Sequence, residues 1–191
     1  MTNDFERKVD VMIKWLPYLL NITGVLVWLK MQSGHLKRLS IFQLVTIISA
    51  LVYILVVSYL TLAPTSYAFV GPQYVSPMMI GTAPINLVPF WSTTADFYQN
   101  VVMMLPMGIY LGLLLPKLKL KNVLLTGLAV SCTIEGLQFV LDLTVGLSRW
   151  VDINDVLTNT FGVLVGWLIL AVLRHTIVKG LIKPFTITAF K

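Results

Sequence analysis

Hydrophobic residues along this chain gather into long uninterrupted runs, and the polar positions between them are short and unequal in character. A helix that crosses a bilayer needs about 20 mostly apolar residues at 1.5 Å rise each. Five runs meet that length: about 11–29, 39–63, 94–115, 123–141 and 151–173. The first is the least regular, holding Lys14, Pro17 and Asn21, whereas the second has no charged residue. Pro106 falls in the middle of the third run and predicts a kink, because proline removes a backbone donor. Pro116 stops that run. The pattern predicts an all-α, polytopic transmembrane helical bundle of about five spans, organised as a single domain over residues 1–191.

Between the second and third runs, residues 64–95 are too broken to span. They hold five of the nine prolines and no lysine or arginine. This proline-rich segment is expected to pack over the outer mouth of the bundle, with Phe90, Trp91, Phe97 and Trp150 at the depth that aromatic rings favour in a membrane. Thr93 and Asp96 read as a capping box for the third helix. The tail after Arg174 alternates basic and apolar residues, among them Lys179, Lys183 and Phe190, and is expected to lie on the membrane surface.

Composition agrees with lipid as the main solvent: 57% of the residues are hydrophobic and 12% charged, against about 25% charged in an ordinary soluble domain. The net charge of +6 says little about nucleic acid, and none is expected as a partner, because the basic residues cluster at the ends of apolar runs. Lys30, Lys37 and Arg38 follow the first run; Lys117, Lys119 and Lys121 the third; Arg174, Lys179, Lys183 and Lys191 the fifth. Only Arg149 lies between the fourth and fifth. Retention of basic loops in the cytoplasm then predicts a cell-membrane protein with its amino terminus outside and its carboxyl terminus inside. The opening residues do not read as a cleaved signal, since their charges nearly cancel. Cys132 lies within an apolar run and reads as a small buried residue.

Ionisable side chains within spans cost about 2.5–3.5 kcal/mol at mid-helix, so their positions carry information. Ser131, Glu135 and Gln138 share one face of the fourth helix, and Asp152, Asp155, Asn159 and Gly162 one face of the fifth. Asn100 lies about one turn inside the third helix, and Asn86 stands just ahead of it. The topology drawn from the basic loops brings Asn86, Asn100, Glu135, Gln138, Arg149, Asp152, Asp155 and Asn159 to one side, where they are expected to line a single polar cavity. Simpler roles exist for several of them. Asp152 suits an N-cap and Asp155 a first helical turn, Glu135 and Arg149 suit a salt bridge, and the pairs Gly108/Gly112 and Gly162/Gly166 suit close helix packing. Glu135 is too deep to cap anything. His35 and His175 fall at the cytoplasmic ends, and no metal ligand is assigned.

The order Asn86-Leu-Val-Pro89-Phe90, Asn100 with Pro106-Met-Gly108, Ser131-x-x-x-Glu135-x-x-Gln138 and Arg149-x-x-Asp152-x-Asn154-Asp155-x-x-x-Asn159-x-x-Gly162-x-x-x-Gly166 resembles the VanZ-like family of bacterial membrane proteins. The motifs occupy about residues 86–170. That family is named for a protein associated with low-level resistance to the glycopeptide teicoplanin, so the resemblance implies work at the cell envelope; it implies no reaction and no cofactor. Three functions stay open. One is binding of an envelope molecule, such as a glycopeptide, a lipid head group or a cell-wall precursor. A second is a membrane enzyme acting on a lipid-linked substrate through Glu and Asp, with or without a divalent cation. The third is a structural or transport scaffold. No Ser/His/Asp set, histidine cluster or glycine-rich phosphate loop is present to favour the enzyme.

Overall fold

The structure is a computed structural model, and it describes residues 4–64, 78–90, 95–147 and 149–187, apart from the side chains of 4–10 and 96. The elements in order are α1 (Asp4–Met31), α2 (Ser33–Leu36), α3 (Ile41–Leu62), β1 (Met78–Ile80), β2 (Ala83–Asn86), α4 (Ala95–Leu114), α5 (Leu120–Val145), β3 (Val151–Asp152), α6 (Ile153–Leu173) and α7 (Lys179–Ile182), followed by a 3-10 turn (Lys183–Phe185). Five helices are long and apolar enough to cross a membrane: Val11–Met31, Ile41–Leu62, Phe97–Leu114, Leu120–Val145 and Ile153–Leu173. The protein is a polytopic, all-α membrane protein. Trp91, Thr93, the side chain of Asp96, most of the proline-rich segment and Phe190 lie outside the described residues.

Helix ends follow local chemistry. Ser40 opens α3 with a capping box: its hydroxyl accepts the Gln43 N–H, and the Gln43 side chain accepts the Ser40 N–H. Helix α5 runs one turn beyond its apolar stretch and stops at Gly146, whose left-handed backbone (φ 62°) lets its N–H return to the Asp142 carbonyl.

Helices α4 and α6 form the spine. A side chain at Gly108 would strike the Val163 carbonyl, one at Gly162 the Val101 carbonyl, and one at Gly166 the Leu105 carbonyl. These matches rise together along both helices, so α4 and α6 run parallel and touch backbone to backbone. Helix α5 packs antiparallel to α6, with Gly127 against Thr160 and Val163 and with Ser131 reaching Asp155. Met104, Val123 and Val163 fill the centre of this trio.

Inside α4, Pro106 has no N–H for the carbonyl four residues back. The Tyr53 hydroxyl of α3 donates to the next carbonyl along, Met103, at 2.9 Å. A neighbouring helix thus places a donor next to the carbonyl that the proline leaves without one. Tyr53→Phe is expected to cost about 1 kcal/mol, read as a lower melting temperature of the purified protein. An unchanged melting temperature would mean that the bond contributes nothing to stability.

Helix α1 leans on α3 through Asn21, which donates to the Ser58 hydroxyl at 2.6 Å, and through the rings of Trp15, Tyr18 and Tyr59. At one end of the bundle a small sheet forms in the order β1-β2-β3, with β1–β2 antiparallel and β2–β3 parallel. It is a local addition to a helical fold, too short for periodicity to announce. The opposite end carries the basic groups that follow α1, α4 and α6.

Two expectations change. Cys132 is exposed on α5 rather than buried, because it sits about 100° around the helix from the inward-facing Ser131. The tail does not simply lie flat as far as residue 187. The Thr46 hydroxyl donates to the Phe185 carbonyl at 2.9 Å, Gln43 donates to Thr186, and Ile187, 2% exposed, donates its N–H to the Leu113 carbonyl. The tail thus folds back against the basic ends of α3 and α4.

Candidate functional site

The polar side chains of the spans meet at the sheet end, where parallel pairing of β2 with β3 sets Asn86 opposite Asp152. Asn86 Nδ2 donates to Asp152 Oδ1 at 2.9 Å, and Asn86 Oδ1 accepts the Val88 N–H. Asp152 is also the N-cap of α6, its Oδ1 accepting the Asn154 N–H at 2.8 Å. The capping role expected of Asp152 is therefore met, with a second strand attached to it.

Glu135, 5% exposed, lies nearly three turns below the end of α5. Its Oε2 accepts the Asp152 N–H at 3.0 Å. The expectation that Glu135 is too deep to cap anything does not hold: it receives the backbone donor of the N-cap of α6, which is the service that the acid of a capping box performs within one helix. The ionisable groups that act on its charge are Asp155 and Asp152, both acidic.

Asp155 draws three helices together. Its Oδ1 accepts from Asn100 Nδ2 of α4 at 2.6 Å, and its carbonyl accepts from the Ser131 hydroxyl of α5 at 3.2 Å. Ser131 in turn accepts from Asn159 Nδ2 at 3.2 Å. Asn159 is 1% exposed, and its Oδ1 has no hydrogen-bond partner among the described residues. Asn86, Asn100, Glu135, Asp152, Asp155 and Asn159 thus form one cluster. Asn100, Asp152 and Asp155 are half-buried and make its rim; Glu135 and Asn159 make its floor.

Gln138 and Arg149 turn toward α3 instead. Gln138 Nε2 donates to the Thr61 carbonyl at 2.9 Å. Arg149 Nη2 donates to the carbonyls of Leu60 and Ala63 at 3.1 and 3.0 Å, and its backbone N–H reaches Asp142 Oδ1 at 3.0 Å. Burial pushes the guanidinium below its ordinary value, and the Asp142 charge opposes that shift. The acid that faces Arg149 is therefore Asp142, not the expected Glu135.

Two residues of this region were not expected to line the cavity, although Asn154 stands in the last of the family motifs. Asp142, 1% exposed, looked like the outer end of a span; it is instead the anchor for the Arg149 backbone, and its carbonyl accepts from Thr82 Oγ1 at 2.8 Å. Asn154, 4% exposed, accepts the Phe90 N–H at 2.7 Å through Oδ1. Phe90 has φ 57°, a left-handed conformation that costs a non-glycine residue about 1–2 kcal/mol. Asn154 holds that strained corner in place, and its position in the motif from Arg149 to Gly166 was the available signal. Among the described residues, no group of three or more His, Cys, Asp or Glu side chains is arranged to hold a metal ion.

These features define a multi-pass membrane protein with a buried, hydrogen-bonded acidic cluster where three helices meet at one end. Within that class, the sequence matches the VanZ/LLP1 family over residues 50–174, and the chain belongs to that family. The match begins inside α3, earlier than the motifs alone suggested, and so takes in Leu60, Thr61 and Ala63, the carbonyls that Arg149 and Gln138 grip. No curated protein and no solved structure matches the chain.

Proposed function

We propose that this protein binds the polar part of an envelope molecule, a lipid head group, cell-wall precursor or glycopeptide, in the cluster at the sheet end, and so contributes to glycopeptide resistance. In this reading residues 1–191 are one domain in the cell membrane, with the sheet end and amino terminus outside and the carboxyl terminus in the cytoplasm. The grouping of lysine and arginine at the opposite end supports that orientation.

One observation carries the proposal. Glu135 is buried beside Asp152 and Asp155, and the support shown for its carboxyl among the described residues is one backbone N–H, that of Asp152. A carboxylate at such depth costs about 2.5–3.5 kcal/mol, and a bundle needing only cohesion would be served as well by apolar packing. The test is titration of the purified full-length protein with a glycopeptide and with a lipid-linked cell-wall precursor, following the tryptophan fluorescence of Trp150 and its fellows. Binding of at least one, weakened about tenfold or more in Glu135→Gln, is the expected result; a loss of that size corresponds to about 1.4 kcal/mol. Binding equal in Glu135→Gln and wild type would remove this site.

A second reading has its own support. Because Glu135 and Asp152 both hold backbone donors at the start of α6, the acids also serve as joints of a scaffold. If that were their whole purpose, Glu135→Gln would lower accumulation and melting temperature while leaving ligand binding per folded molecule intact.

A further inference from the structure

If the cluster binds an envelope molecule, its chemistry restricts which part of that molecule it receives. The Ser131 hydroxyl has one proton, and that proton goes to the Asp155 carbonyl. Toward Asn159, Ser131 can therefore only accept, which turns Asn159 Nδ2 to Ser131 and leaves Oδ1 as the outward end of the amide. That oxygen is almost fully buried and has no partner among the described residues. A buried acceptor left without a donor costs about 1–3 kcal/mol, so it marks a place for a donor.

Its surroundings share that need. Asn159 stands one turn below Asp155 on α6, and Ser131 stands one turn below Glu135 on α5. The amide oxygen thus lies beneath two carboxylates, with a third, Asp152, above them. The amide donors of Asn86 and Asn100 already reach Asp152 and Asp155. The guanidinium of Arg149 donates to the end of α3. Among the described residues, nothing brings positive charge to the floor formed by Glu135 and Asn159 or a donor to the Asn159 oxygen.

We infer that the cluster receives a primary ammonium group, seated between Glu135, Asp155 and Asn159 Oδ1. An ammonium brings one positive charge and three donors. A phosphate or carboxylate would meet like charge on every side. A quaternary ammonium would supply charge but leave the Asn159 oxygen unsatisfied. The inference rests on the binding function proposed above and narrows it to amine-bearing ligands, whether an amino head group of the leaflet or an amine in solution.

The experiment uses full-length protein in phosphatidylcholine nanodiscs. It is titrated with short-chain phosphatidylethanolamine, with hexylamine as the soluble amine, and with hexyl phosphate as the anionic counterpart. Binding is read from native mass spectra and from the shift in melting temperature. At least one amine is expected to bind about tenfold or more tightly than hexyl phosphate, and to lose about tenfold or more in Asn159→Leu. Preference for phosphatidylethanolamine assigns the amine to the leaflet, and preference for hexylamine to solution. Asn159→Asp keeps the side-chain volume and adds acceptor charge, with the Ser131 hydroxyl turning to donate where it now accepts; it is expected to bind amine at least as tightly as wild type, which covers the case in which Asn159→Leu does not fold. Hexyl phosphate binding as tightly as the amines, or amine binding weakened by Asn159→Asp, overturns the inference. If hexyl phosphate binds and Glu135→Gln abolishes it, the ammonium falls and the polar site stands. If no probe responds to Glu135→Gln, both fall.

Discussion

Gly166→Ala is expected to be among the most damaging single changes in the protein, although it adds one methyl group. The new carbon would strike the Leu105 carbonyl, with the Leu105 Cα only 3.2 Å away. Both are backbone atoms, so no rotamer change relieves the overlap; α4 and α6 must separate. Gly162→Ala meets the same obstacle at the Val101 carbonyl. Overpacking of this kind costs about 1–3 kcal/mol per site, and close approach of small residues is a main source of attraction between helices in lipid. Separation would also pull Asn100 on α4 from Asp155 on α6, whose 2.6 Å bond lies about two to three turns above these glycines along α6. Gly136→Ala is the control, because nothing lies within 4 Å of a carbon placed there; replacing a helical glycine by alanine in open space is worth up to about 1 kcal/mol in the favourable direction. Melting curves of the variants should therefore move in opposite directions. A Gly166→Ala protein as stable as Gly136→Ala would show that the two backbones are not in contact.

How much of this was visible in the amino-acid sequence varies with the range of the interaction. The five crossings are properties of local runs of about 20 residues, and their ends fall within a few positions of the helices formed. The paired glycines of α4 and α6 announce close packing by spacing alone, and Glu135 announces itself by its cost in lipid. Partnership is another matter. The Asn86–Asp152 bond joins positions 66 apart, and strands of two to four residues give no periodicity that would place them. Arg149 illustrates a second limit. Glu135 looked like its counterpart because both are ionisable, but the guanidinium bonds main-chain carbonyls, which every residue possesses and no sequence position advertises. Asp142 was hidden for a similar reason. Its burial depends on the chain reversing at Gly146 and laying the Arg149 backbone across it.

That reversal makes Asp142 and Arg149 the second place where a small change should have a large effect. Through them, the ends of α3 and α5, the Thr82 turn and the strand leading into α6 are fastened together. Arg149→Ala removes two hydrogen bonds from the end of α3 and leaves a 1% exposed acid without its guanidinium neighbour. Truncating one side of a buried ionic contact costs about 3–5 kcal/mol, much of it from the charge left behind. Asp142→Asn keeps an acceptor for the Arg149 N–H but removes the charge, so it separates the electrostatic part from the hydrogen bond. Because the two residues share one environment, the double variant should be more stable than the sum of the single losses predicts, with a coupling of about 1–3 kcal/mol in a double-mutant cycle of unfolding free energies. The strand β3 begins two residues after Arg149, and the Asp152 N–H that Glu135 holds lies at its far end. Variants that still fold should therefore also bind ligand more weakly, without any change to the side chains of the cluster. Effects that add to within about 0.5 kcal/mol, or full binding in a folded Arg149→Ala protein, would mean that this corner fastens the helices but does not position the site.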